Sequence, residues 1–228
     1  SDLSFLKTSN VKYKEVFGSF FNLTSNLVKN GNILIPAFNY DFCKTGIFDV
    51  NNSPSQTGMF ANYLIKNQLS RRTMHPIFSF VIYGKDSNII SKNISTDAFG
   101  NGSIFSKMHK EYYSKILFVN ADFQNCTYCH YVEQKNGIDY RLLKKFPGKI
   151  IDKKNEYIDD FTYFVRPLDG TVITDLKRLE QLLLLENALK QTRINNIILS
   201  IIAVNDFVNI TENALKRNKY FLLSKNPN

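Results

Sequence analysis

Segments of helical period alternate with short apolar runs along the whole chain, and this alternation restricts the fold more than any other feature of the sequence. Val16, Phe17, Phe20, Phe21, Leu23 and Leu27 recur at helical spacing over 14–29, and the pattern stops at Asn30-Gly31. Helices are also expected over 56–67, over 127–136, and around 211–217. The longest helix is expected over 175–191, capped by Thr174 or Asp175. Runs at 32–38, 77–83, 116–120 and 197–204 have strand character, with an edge strand within 155–167 and a short strand at 220–223. The stretch 39–55, punctuated by Gly46, Asn51, Asn52 and Pro54, reads as loop. Such alternation predicts an α/β fold, a layered mixed sheet flanked by helices. No internal repeat or linker interrupts it, so residues 1–228 are expected to form a single domain.

Composition narrows the classes. At 43% hydrophobic and 14% aromatic residues, the 228-residue chain has the makings of a substantial core and lies far from the disordered regime. No apolar run approaches the roughly 20 residues of a membrane span. Three cysteines, an odd number, argue against a disulfide scaffold and for a reducing, cytoplasmic setting. The net charge of +9 favours anionic partners, nucleotides and coenzyme A among them, although the basic residues are spread out rather than clustered. The chain has no phosphate loop: Gly100-Asn101-Gly102 lacks the third glycine and the Lys-Ser/Thr that such a loop needs.

The richest local motif is Cys126-Thr127-Tyr128-Cys129-His130-Tyr131-Val132-Glu133. Cys-x-x-Cys-His is the spacing of a c-type haem attachment site, but an exported haem protein has no other support here. Zinc would need a second ligand cluster, which is missing. A redox dithiol is a further alternative. On a helix, however, His130 and Glu133 share one face, the arrangement that acid/base chemistry needs, and the cysteines are then small buried neighbours. Elsewhere, Arg71-Arg72 precede an ordered His75-Pro76 turn that suits phosphate or carboxylate recognition, or a plain surface loop. His109 reads as surface.

Five blocks then fall in one order: Phe48-Asp49-Val50 with Ser53-Pro54-Ser55 and Gly58; Arg71-Arg72-Thr73 with His75-Pro76 and Ser79; Phe99-Gly100 with Gly102-Ser103 and Phe105; Thr127 with His130 and Glu133; and Tyr140-Arg141. Their order and spacing resemble the antibiotic acetyltransferase family, the aminoglycoside 3-N-acetyltransferases and their relatives. Ser1-Asp2-Leu3-Ser4 resembles the end of that family's early strand-and-turn motif, although the Gly-Gly segment usual after it is missing. The likeness covers residues 1 to about 150. Residues 150–228 diverge and are expected on the acceptor side, with the N-terminal strand truncated.

The resemblance implies one acyltransferase domain of that family's fold, not the Gcn5-type fold, using acetyl-CoA or another acyl-CoA and no metal or haem. It implies acyl transfer to a primary amine of a sugar, with His130 as general base and Glu133 and Asp49 as carboxylates, one orienting His130 and the other holding the amine. Asp49 has an alternative as a local cap, and Glu133 as a solvated neighbour of His130. Coenzyme A is implied along Ser1, Asp2, Leu3 and Ser4, the turn bearing Arg72, His75 and Ser79, and the segment bearing Phe99, Gly100, Ser103 and Phe105. His75 could assist the thioester or simply hold its turn. Because aminoglycosides are polycations, a +9 chain suits a nucleotide-linked amino sugar of polysaccharide synthesis better, with antibiotic acetylation as the alternative. The leucine-rich helix leaves open a homodimer face and, as a non-enzymatic alternative, a binding module; no nucleic-acid recognition motif is present.

Overall fold

The computed structural model describes residues 13–28 and 30–226. In chain order, α1 (Tyr13–Leu27), β1 (Asn32–Pro36), α2 (Phe42–Thr45), β2 (Ile47–Asp49) and α3 (Met59–Lys66) are followed by β3 (Arg71–Arg72), β4 (Phe80–Gly84) and α4 (Ser87–Ile90). Next come α5 (Ile104–Lys110), β5 (Lys115–Val119), α6 (Tyr128–Lys135), β6 (Leu142–Asp152) and β7 (Asn155–Val165). The chain closes with α7 (Lys177–Leu185), β8 (Lys190–Ile194), β9 (Ile197–Ala203) and α8 (Val204–Arg217). The α/β class is as expected, but among the described residues the strands form three three-stranded sheets, ordered β1-β4-β3, β2-β6-β7 and β5-β9-β8.

Two compact units divide the chain: 13–98 with 145–163, and 99–144 with 164–226. In the first, β4 is the middle strand, antiparallel to both β1 and β3. Gly84 ends β4 at φ +135°, where a Cβ would stand 2.4 Å from the Gly31 carbonyl oxygen, so only glycine fits. The parallel pair β2–β6 sits beside the β7 edge strand. Arg72 staples this unit together. Its guanidinium donates to the Ser53 carbonyl (2.5 Å), the Ala37 carbonyl (2.7 Å) and Ser79 Oγ (3.0 Å), while stacking 4.7 Å from the Phe48 ring. Burial pulls its pKa down to about 10, and nearby Asp49 opposes the shift.

In the second unit β9 is central, antiparallel to β5 and β8. The amphipathic α8 buries Phe207, Val208 and Leu215, and both α5 and α6 pack on it.

Three expectations fail for identifiable reasons. Residues 39–55 contain α2 and β2, because Phe42 and Phe48 are core residues that the surrounding turn signals mask. The helix at 175–191 stops at Leu185, where Asn187 takes φ 55° and the chain turns into β8; α1, at 15 residues, is longer. At 220–223 only a bridge from Leu223 to Thr174 forms.

Replacing Arg72 with Met should lower stability by about 2–4 kcal/mol, because buried carbonyls lose their donor. An unchanged thermal melt would contradict the staple.

Candidate active site

Helix α6 begins just after a 3-10 turn (Phe123–Asn125) whose Gln124 N–H is capped by Asp122 Oδ1 at 2.8 Å. Tyr128, Cys129, Tyr131 and Val132 bury their side chains, and Tyr128 Oη donates to the Phe105 carbonyl at 2.6 Å. The packing therefore fixes the helix and carries Glu133 into a dry interior, with its side chain 0% exposed, while the side chain of His130 keeps 19% of its surface.

His130 Nδ1 stands 2.6 Å from Glu133 Oε2. A carboxylate only accepts, so Nδ1 carries a proton, and in the neutral imidazole Nε2 keeps its lone pair. Tyr140 Oη donates to the other carboxylate oxygen at 2.7 Å. Arg141 Nε lies 2.9 Å from Oε2 as an ion pair whose N–H is not aligned for a hydrogen bond, and its Nη2 donates to Thr174 Oγ1 at 2.7 Å. Burial alone would raise the Glu133 pKa, but His130, Arg141 and the Tyr140 hydroxyl outweigh it and hold the carboxyl below its ordinary value of 4.5. Burial, and then the Glu133 charge, push Tyr140 far up, so that it remains a donor.

Cys129 Sγ lies 3.4 Å from His130 Nδ1, and Cys129, His130 and Glu133 place ligand atoms within 4.8 Å of one another. A metal fits this set poorly. The Arg141 cation already neutralises the carboxylate, and burial drives the Cys129 thiol well above its ordinary value, which disfavours the thiolate a metal needs. Burial also pushes the Cys126 thiol up to about 12, so neither cysteine has the character of a redox nucleophile.

The same unit carries part of the predicted coenzyme set. The Phe99 ring centroid is 6.0 Å from that of His130 and 5.0 Å from that of Phe105. Ser103 caps α5 by accepting from Ser106 N at 3.1 Å, and Gly100 stands half-buried just before it.

Asp49, Arg72, His75 and Ser79 belong to the other unit. Asp49 caps its own turn: Oδ1 accepts from the N–H groups of Asn51 (2.8 Å) and Asn52 (3.0 Å), and Oδ2 accepts from Asn52 Nδ2 (2.8 Å). The Arg72 guanidinium donates to the internal carbonyls of Ser53 and Ala37. Ser79 donates to the Ala37 carbonyl at 2.6 Å. Burial lowers His75 to about pKa 4, against opposing hydrogen bonds with the backbone at Thr96 and at its own residue; its Nδ1 accepts from Phe78 N. It is a neutral residue that holds its turn. Ser1, Asp2, Leu3 and Ser4 lie outside the described residues.

Tyr140 and Arg141 are legible in the sequence as a motif block, but without a role. The signal that assigns one is the carboxylate itself, since a buried Glu must find donors close by.

Several solved structures share this architecture. The structure described as "AAC-IIIb binary with CoASH" aligns with a TM-score of 0.75 at 15% identity, over 92% of this chain and 86% of that one. Aminoglycoside acetyltransferase AAC(3)-Xa aligns at 0.74 and 12% identity, over 92% and 82%. The YokD protein from Bacillus subtilis aligns at 0.69 and 17%, over 89% and 81%. These identities show a common fold. No curated protein sequence matches the chain. The aminoglycoside 3-N-acetyltransferase family model, however, matches residues 16–216, and the chain belongs to that family. It is accordingly an N-acetyltransferase with acetyl-CoA as co-substrate. Among the described residues no helix is long and apolar enough to cross a membrane.

With its folded pKa depressed, Glu133 contributes stability that is full above the unfolded carboxyl's value and is lost as pH falls through the folded one. The melting-temperature gap between the protein and Glu133→Gln should therefore hold steady from pH about 8 down to about 5 and narrow below about 4.5. A gap independent of pH would show that the carboxylate is not held ionised.

Proposed function

We propose that the protein transfers an acetyl group from acetyl-CoA to a primary amine of an amino sugar, with His130 as the general base. The carrying observation is the 2.6 Å contact between His130 Nδ1 and Glu133, which fixes the ring as the tautomer with a free Nε2 lone pair. Nε2 takes a proton from the acceptor ammonium. The freed amine attacks the thioester carbonyl, the nitrogen–carbon bond forms and the carbon–sulfur bond breaks. The departing thiolate leaves with a proton from the imidazolium, which Glu133 stabilises in the interval, and the nitrogen's second proton passes to the regenerated imidazole and on to solvent.

Of the two carboxylates, Glu133 takes the orienting role, and Asp49, fixed by its turn, is the one proposed to hold the acceptor ammonium. The coenzyme is proposed to follow Ser1 to Ser4, the 72–79 turn and the 99–105 segment, contacting main-chain N–H groups rather than the internally bonded guanidinium of Arg72.

The net charge of +9 supports an anionic acceptor, a nucleotide-linked amino sugar. A second reading, aminoglycoside acetylation, draws support from the family's description and from a fold relative described in complex with apramycin.

Thiol release from acetyl-CoA, measured with both acceptor panels, separates these: turnover confined to one panel assigns the acceptor, and silence with both removes the amino-sugar assignment. On whichever acceptor is used, His130→Ala should cut turnover by about 10²- to 10⁴-fold with an unchanged melt. Near-normal turnover would remove His130 from the mechanism.

A further inference from the structure

Within the first unit, an open groove of about 1010 Å³ runs past β3, the end of β4, α4 and the turn between β6 and β7. That is the size of a small-molecule site. Its walls are basic. The two residues of β3 face opposite ways, so that Arg72 turns inward and Arg71 stands exposed on the groove. Lys85 follows β4 and Lys153 occupies the β6–β7 turn at φ 58°, and both are exposed groove residues. Arg71, Lys85 and Lys153 have no ion-pair partner among the described residues, and Asp152 is the single carboxylate on the lining. Ser70 Oγ, also on the lining, is buried and has no hydrogen-bond partner. A buried hydroxyl without a partner costs free energy that a ligand oxygen would recover.

Cations brought together from three separate segments, over a concavity with an unsatisfied hydroxyl, are the chemistry of phosphate recognition. We propose that this groove binds a ligand bearing a diphosphate, or two neighbouring phosphates, at a site separate from coenzyme A. Separation follows from the lining: among the described residues of the coenzyme set only Arg72 reaches the groove, and its guanidinium is occupied by internal carbonyls. The proposal stands on the groove alone, whichever acceptor the enzyme uses.

Inorganic pyrophosphate is the probe, titrated calorimetrically into the full chain and into Lys85→Ala/Lys153→Ala, with the KM for acetyl-CoA measured on both. The control is Lys177→Ala/Lys190→Ala, which removes the same charge from exposed positions in the other unit. The groove variant should weaken pyrophosphate binding by about tenfold or more, the cost of losing two charge-assisted contacts. The control should weaken it little, and the KM for acetyl-CoA should stay within about twofold in every variant. Absence of binding to the unmodified chain would overturn the proposal, as would equal weakening in the control, which would mark the effect as one of net charge. A parallel rise in the KM for acetyl-CoA would give the groove to the coenzyme's own phosphates and end the claim of a separate site.

Discussion

A carboxylate held ionised without contact with water governs the second unit. An isolated charge in such a place is too costly to persist, and the surroundings of Glu133 answer that cost from three directions: an imidazole one turn back on the same helix, a phenol, and a guanidinium. Each partner is fixed in turn. The helix fixes His130, the carboxylate fixes Tyr140, and Thr174 anchors Arg141. Orientation of the imidazole is thus a by-product of satisfying a buried charge, and the tautomer that the proposed proton abstraction needs comes with it.

The first unit solves the mirror problem. There the buried ion is a cation, Arg72, and its hydrogen bonds go to main-chain carbonyls and a hydroxyl, with the nearby Asp49 charge assisting. Because those carbonyls belong to segments after β1 and after β2, a single side chain sets the path of two connections that have little regular structure of their own. The turn carrying Asp49 sits beside one of them, and its own hydrogen bonds complete the fixation.

How much of this is legible in the sequence depends on whether the residues involved act locally. The pairing of His130 with Glu133 is visible because helix geometry converts a spacing of three into proximity. The strands β1, β4, β5 and β9 are visible as apolar runs. Strand β8, Lys-Gln-Thr-Arg-Ile, is not: every residue is exposed, so burial imposes no alternation, and the apolar spacing through Leu189 mimics a continuing helix. Strand β6 hides for a related reason, since it carries Lys144, Lys145 and Lys149 together with Pro147 and Gly148. The fate of Arg72 is also illegible. An arginine beside a histidine–proline turn looks the same in sequence whether it faces a phosphate or a carbonyl, and only the fold decides.

One property of the His130 site reaches beyond its chemistry. The imidazole, the carboxylate, the phenol and the guanidinium all lie within residues 130–141, so the proposed proton-handling apparatus is encoded in a single short stretch of chain. An insertion or deletion elsewhere can reshape the walls around a substrate without changing the spacing between base and carboxylate. Heritable variation in what the enzyme accepts is thereby uncoupled from the proposed means of proton abstraction, which leaves the scaffold free to diversify its substrates while the 130–141 cluster is inherited intact.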